Sequence, residues 1–217
     1  MTRTEETTVP PIDRVATSRF AVDLAFRNDR YIHEIALLDS TERIVVARSA
    51  EPSANLAAHE SSNRPENQGA EVPVHQEAHF PRSNPGRTAL LVGQSGVHHY
   101  SLSIHLSEDD DRRRARIEFD HADRLARIPT EGIRDLSVLY FINLPIVDAT
   151  DVETERVRWI TREPSGLLTI ETLREADRPT RIVVAEAGRR GAWIEIAPGA
   201  TSEFTRRCRY AWTWEEA

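Results

Sequence analysis

Apolar and polar residues alternate with period two along most of this chain, and that alternation predicts strands rather than helices. Phe20, Val22, Leu24 and Phe26 share one face of a first strand, with Ala21, Asp23 and Ala25 on the other. Asn28-Asp29 marks a turn, after which the chain returns through Tyr31 to Leu38 and again through Ile44 to Ala47 as a meander. Further strands are expected at Thr88 to Val92, Val97 to Leu106, Arg114 to Phe119, Val157 to Thr161 and Leu167 to Leu173. Arg181 to Glu186, Ala192 to Ala197 and Cys208 to Trp214 follow the same pattern. The unbroken apolar run from Ser137 to Leu144, closed by Pro145, predicts a strand buried on both faces. Helical turns are expected only after Pro52 and at His121 to Ile128. The fold expected is all-β and mainly antiparallel: a single-domain barrel or sandwich of about twelve short strands with one or two short helices.

Two segments stand outside the pattern. Residues 1–16 are polar and acidic and read as a flexible N-terminal arm. Residues 49–87 interrupt the β-rich domain 17–217 as a long irregular insertion, punctuated by Pro52, Pro65, Pro73, Pro81 and Pro85. Loops of that length are usually disordered or functional, which admits a lid or a partner-binding arm. Asp148, Asp151 and Glu153 read as an acidic solvated loop.

One hairpin can be registered from the sequence. A two-residue turn at Asp110-Asp111 pairs Leu106 with Ala115, Ile104 with Ile117 and Leu102 with Phe119. It also sets Asp109 against Arg112 and Glu108 against Arg113, opposite charges that favour cross-strand pairing modestly. The polar face of this hairpin then carries His99, Ser101, Ser103 and His105 against Arg116, Glu118 and Asp120.

Composition narrows the chemistry. All 28 basic residues are arginine and none is lysine. That removes a Walker phosphate loop, Schiff-base catalysis and serine–lysine acyl enzymes. A net charge of −7 gives no basic field for nucleic acid or an anionic membrane. The lone Cys208 cannot make an intramolecular disulfide or a zinc ribbon, and fits a reducing compartment. With a polar first segment and no apolar run of membrane length, a cytoplasmic location is expected.

Three candidate sites follow. On the hairpin, His99, Ser103, His105 and Glu118 could do acid–base work if that face lined a lumen, because imidazole titrates near neutral pH. Tyr210, Trp212 and Trp214, joined by Trp159, could form an aromatic ligand platform or fill the core. In an extended segment His75, Glu77 and His79 point the same way, as metal ligands would. Gly93-Gln94-Ser95-Gly96 is a departure from the nucleophile-elbow pattern and is better explained as a hairpin turn. No motif indicates a cofactor. The reading expected first is a non-catalytic ligand- or protein-binding or assembly module, self-associating or partnered by a protein or a small apolar ligand. The alternative is a small β-barrel enzyme, an isomerase, cyclase or hydrolase, acting on an apolar small molecule in its lumen.

Overall fold

The computed structural model describes residues 13–39, 42–49, 73–127, 137–142, 148–153, 155–162, 165–173, 180–186, 192–198 and 204–217. Strands β1 (Asp13–Ala16), β2 (Phe20–Arg27), β3 (Arg30–Leu38), β4 (Arg43–Ser49) and β5 (Glu77–His79) come first. They are followed by β6 (Thr88–Ser95), β7 (His98–Asp109), β8 (Arg114–Leu125), β9 (Val138–Ile142) and β10 (Asp148–Glu153). The last are β11 (Arg156–Arg162), β12 (Ser165–Thr172), β13 (Thr180–Glu186), β14 (Ala192–Pro198) and β15 (Thr205–Glu216). No helix occurs among the described residues, so none there is long and apolar enough to cross a membrane.

The strands form two antiparallel sheets. A seven-stranded sheet has the order β1-β2-β3-β4-β9-β14-β13, and an eight-stranded sheet has the order β10-β11-β12-β15-β8-β7-β6-β5. Their inner faces meet in one apolar cluster, which makes the fold a sandwich rather than a barrel. The alternation expected along β7 and β8 is the alternation observed, with Leu102, Ile104, Ile117 and Phe119 fully buried, whereas β2 buries both faces over Phe20–Leu24 and β3 over Ile35–Leu37. Central β9, between β4 and β14, buries both of its faces except at half-buried Phe141, as its apolar run requires.

Four expectations need correction. His121 to Ala126 is not helical, because β8 continues as a strand to Leu125 and pairs with β7 and β15 over its whole length. The β7–β8 turn is longer than expected, so Leu106 faces Ile117 and Leu102 faces His121. A two-residue turn needs left-handed backbone at both central residues. Here Asp110 to Arg113 form the loop, the Arg113 amide donates to the Asp110 carbonyl at 3.1 Å, and Arg113 alone takes positive φ (48°). The pairing therefore slides by two residues, which preserves every face but sets Glu118 opposite His105 and Asp120 opposite Ser103. Asp148–Glu153, expected as an acidic loop, is β10. Each segment expected to be irregular also contains a strand: Asp13–Ala16 pairs with β2, and Glu77–His79 with β6. The helical turn expected after Pro52 lies outside the described residues.

Two expected turns are present. Asn28 and Asp29 both take positive φ between β2 and β3, the geometry of a tight hairpin. Gly96, at φ 59°, turns β6 into β7, so the Gly93 to Gly96 segment is a hairpin end.

Candidate functional site

The hairpin residues lie on the outer face of the eight-stranded sheet. His99 and His105 are exposed, while Ser103 and Glu118 are half-buried. His105 Nδ1 lies 3.2 Å from the Thr88 hydroxyl, and Glu118 accepts from Arg116 Nε at 2.9 Å. His105 and Glu118 are cross-strand neighbours, whereas His99 sits opposite Gln94 and Arg124, far along the strand. The aromatic candidates lie on the opposite side of the same sheet: Trp159, Tyr210, Trp212 and Trp214 are all buried in the core.

The proposed histidine–glutamate cluster is divided. His75 is buried, whereas Glu77 and His79 point outward on β5, with His79 Nε2 3.6 Å from Glu77 Oε2. The cause is a change of partner within one peptide unit. The His75 carbonyl accepts from Tyr31 on the seven-stranded sheet, and the Gln76 amide donates to Val92 on the other, both at 2.7 Å. The chain crosses between sheets there, so period-two geometry does not run through it. Gly93 permits the crossing: a Cβ at that position would sit 2.1 Å from the Val74 carbonyl oxygen. Among the described residues no group of three or more His, Cys, Asp or Glu side chains is arranged to hold a metal ion.

What the interior does contain is a chain of buried hydrogen bonds. His33 Nε2 lies 2.6 Å from the Tyr140 hydroxyl, and Tyr140 lies 2.6 Å from the Tyr210 hydroxyl. Tyr210 in turn is 3.0 Å from His121 Nε2. His33 and Tyr140 belong to the seven-stranded sheet, Tyr210 and His121 to the other, so the chain spans the sandwich. Burial pushes His33 down to about 3 and His75 to about 4, helped at His33 by the charge a neighbouring His75 would carry. Burial also holds His121 well below and both tyrosines above their ordinary values. All five groups are neutral near pH 7. A cavity of about 30 Å³ adjoins them, lined by His33, His75, His121, Tyr31, Ser49 and Pro73 among others. It is half open to solvent and admits water but not a substrate.

Beside this chain, the buried Asp123 carboxylate accepts from Arg206 and lies 2.9 Å from His98 Nδ1. Cys208 is buried, which pushes its thiol up and leaves it unreactive. His33, His98 and His121 are not among the candidates that the sequence motifs point to. Yet His33 shares parity with Ile35 and Leu37, and His98 with Tyr100 and Leu102. That shared parity was the signal that placed them inside.

A larger concave surface lies on the outer face of the eight-stranded sheet. A groove of about 340 Å³ crosses β11, β12, β15 and β8. Its walls are Arg114, Arg156, Arg158, Thr169, Glu171, Thr213 and Glu215, with Leu167 completing them. Neighbouring strands place these residues together: Arg156 faces Glu171, Arg158 faces Thr169, Thr169 faces Thr213 and Arg114 faces Glu215. Glu171 is held from two sides, by Arg116 Nη1 at 2.6 Å and Arg156 Nη2 at 2.9 Å. Burial alone would raise its carboxyl; these two guanidiniums outweigh that and lower it. Arg116 also donates to Thr213 Oγ1 at 3.3 Å. Arg114 Nε lies 3.3 Å from Glu215 Oε1. Arg158 makes no ion pair among the described residues, so the lining carries three cations against two carboxylates.

No protein-family model matches the chain, and no curated protein matches it. Among solved structures it is similar to a mutant of the heparan sulfate lyase HepC from Pedobacter heparinus, at 9% identity and a TM-score of 0.43. The likeness covers 97% of this chain and 37% of that one, so the chain spans little more than a third of that protein's length. A likeness at that level carries no function across.

Proposed function

We propose that this protein is a non-catalytic binding module and that its ligand lies in the groove across β11, β12, β15 and β8. The observation that carries the reading is the groove itself: a concave surface of about 340 Å³ whose rim is held rigid by ion pairs while one guanidinium, Arg158, is left for a guest. Arginine presents a planar fork that matches carboxylate or sulfate with two parallel hydrogen bonds. Thr169 adds a hydroxyl that both donates and accepts, and Leu167 adds apolar contact. The ligand favoured is therefore a hydroxyl-rich small molecule bearing an acidic group, rather than an apolar one. The chain as a whole is anionic, so the local excess of cation supplies selectivity as well as attraction.

The enzyme alternative draws no support from the hairpin, whose His99, Ser103, His105 and Glu118 face outward. Titration calorimetry with citrate, inorganic sulfate and the neutral polyol xylitol tests the binding reading. Citrate should bind, xylitol should not, and Arg158→Ala should weaken citrate roughly tenfold, about 1.4 kcal/mol. Equal citrate affinity in the variant would remove the groove from the account.

A further inference from the structure

Two ring nitrogens beside this half-open cavity have no hydrogen-bond partner: His75 Nε2 and His121 Nδ1, on residues that are 4% and 2% exposed. A buried polar atom without a partner is costly, and in native proteins such atoms are nearly always satisfied by protein or by ordered water. Both histidines line the same cavity of about 30 Å³, their ring centroids 5.8 Å apart. The question is what chemical species the cavity is built for.

Counting protons answers it. The chain from His33 through Tyr140 and Tyr210 to His121 contains three hydrogen bonds. Each needs one proton, and the two neutral tyrosines supply two. The third must come from one histidine Nε2–H, so the other histidine must accept at Nε2 and carry its proton on Nδ1. We take the direction in which His121 donates from Nε2 to Tyr210, which leaves its bare Nδ1 as an acceptor. Tyr210 then donates to Tyr140, Tyr140 donates to His33, and His33 keeps its proton on Nδ1.

We infer that the cavity between the sheets is a site for one ordered water molecule, which donates to His121 Nδ1 and joins His75 to the His121–Tyr210–Tyr140–His33 chain. A metal ion fits less well, because the same count allows only one end of the chain to offer a lone pair. Three imidazole ligands would need a tyrosine to give up its proton, against the burial that holds both hydroxyls protonated.

An atomic-resolution crystal structure of the full chain, paired with nitrogen-15 spectra of its imidazoles, tests this. The expected result is one oxygen within hydrogen-bonding distance of both orphan nitrogens, His121 protonated on Nε2 and His33 on Nδ1. Tyr210→Phe should abolish the fixed tautomer of His121, since its acceptor is gone. A dry cavity, the opposite tautomers, or zinc retained at one equivalent through dialysis would each overturn the inference. The wild-type measurements stand even if the variant fails to fold.

Discussion

The hydroxyls of Tyr140 and Tyr210 meet 2.6 Å apart in the middle of the sandwich, and each arrives from a different sheet. Beyond His33 and His121, which hydrogen-bond to these hydroxyls, the rings around that contact are apolar: Phe119 stacks on Tyr210 with ring centroids 5.1 Å apart, and Trp212 packs edge-on against Tyr140 at 5.3 Å. The contact therefore ties the two sheets together at one directional point within the interdigitated core.

Tyr210→Phe is expected to cost about 1–3 kcal/mol, because it leaves Tyr140 and His121 without their shared partner in a buried site. Tyr140→Phe should cost a similar amount. Because the two act in one chain, the double variant should cost less than the sum. Urea denaturation of the four proteins checks this, and strict additivity would show that the hydroxyls do not act together.

Acid should loosen the fold well before carboxylates titrate. His33 and His75 are held at about 3 and about 4 and His121 well below normal, while in the unfolded chain all three sit near 6.5. The unfolded state therefore binds more protons once the pH falls below about 6.5, and stability declines as pH drops. The full contribution is present above that pH. The decline is at most about 1.4 kcal/mol per pH unit for each histidine, continuing toward pH ~4. Denaturant midpoints at pH 7.5 and 5.0 report it, and identical midpoints would count against neutral burial of these rings.

Gly93 has a geometric task that alanine cannot perform. A Cβ there would lie 2.1 Å from the Val74 carbonyl and 2.9 Å from the Gln76 nitrogen. Gly93→Ala should displace the crossing segment, cost about 1–3 kcal/mol or more, and shift the His75 ring resonances. Unchanged His75 resonances would mean that the crossing does not pack against β6 as described.

Arg206 and Asp123 form a fully buried ion pair. Arg206→Met alone should destabilise by about 3–5 kcal/mol, since it strands a carboxylate beside His98. Adding Asp123→Leu should recover much of that loss, because the desolvation penalty disappears with the charge. Thermal melting of the single and double variants tests the pair, and a double variant no more stable than the single would contradict it.

Alternation is legible where a strand has one buried and one solvated face, as β7, β8 and β12 do, whereas β2 over Phe20–Leu24 and β9 over most of its length bury both. The three strands it did not show, β1, β5 and β10, are all sheet edges. Edge strands are short and paired on one side only, so little burial constrains their residues. The hairpin's faces were readable while its register was not. Parity follows from residue type, whereas register depends on the backbone of Asp110 to Arg113. The groove was invisible for a different reason. Arg116 meets Glu171, and Thr169 meets Thr213, only because β12, β15 and β8 lie side by side, and no local spacing encodes that neighbourhood.

The most direct test of the account is to titrate isotopically labelled protein with citrate and map which backbone amides respond. The account predicts saturable shifts confined to β8, β11, β12 and β15, centred on Arg158, Thr169 and Thr213, and much reduced in Arg158→Ala. Saturable shifts clustered instead on the β6–β7 face around His99 and His105, or no saturable shift at all, would contradict it.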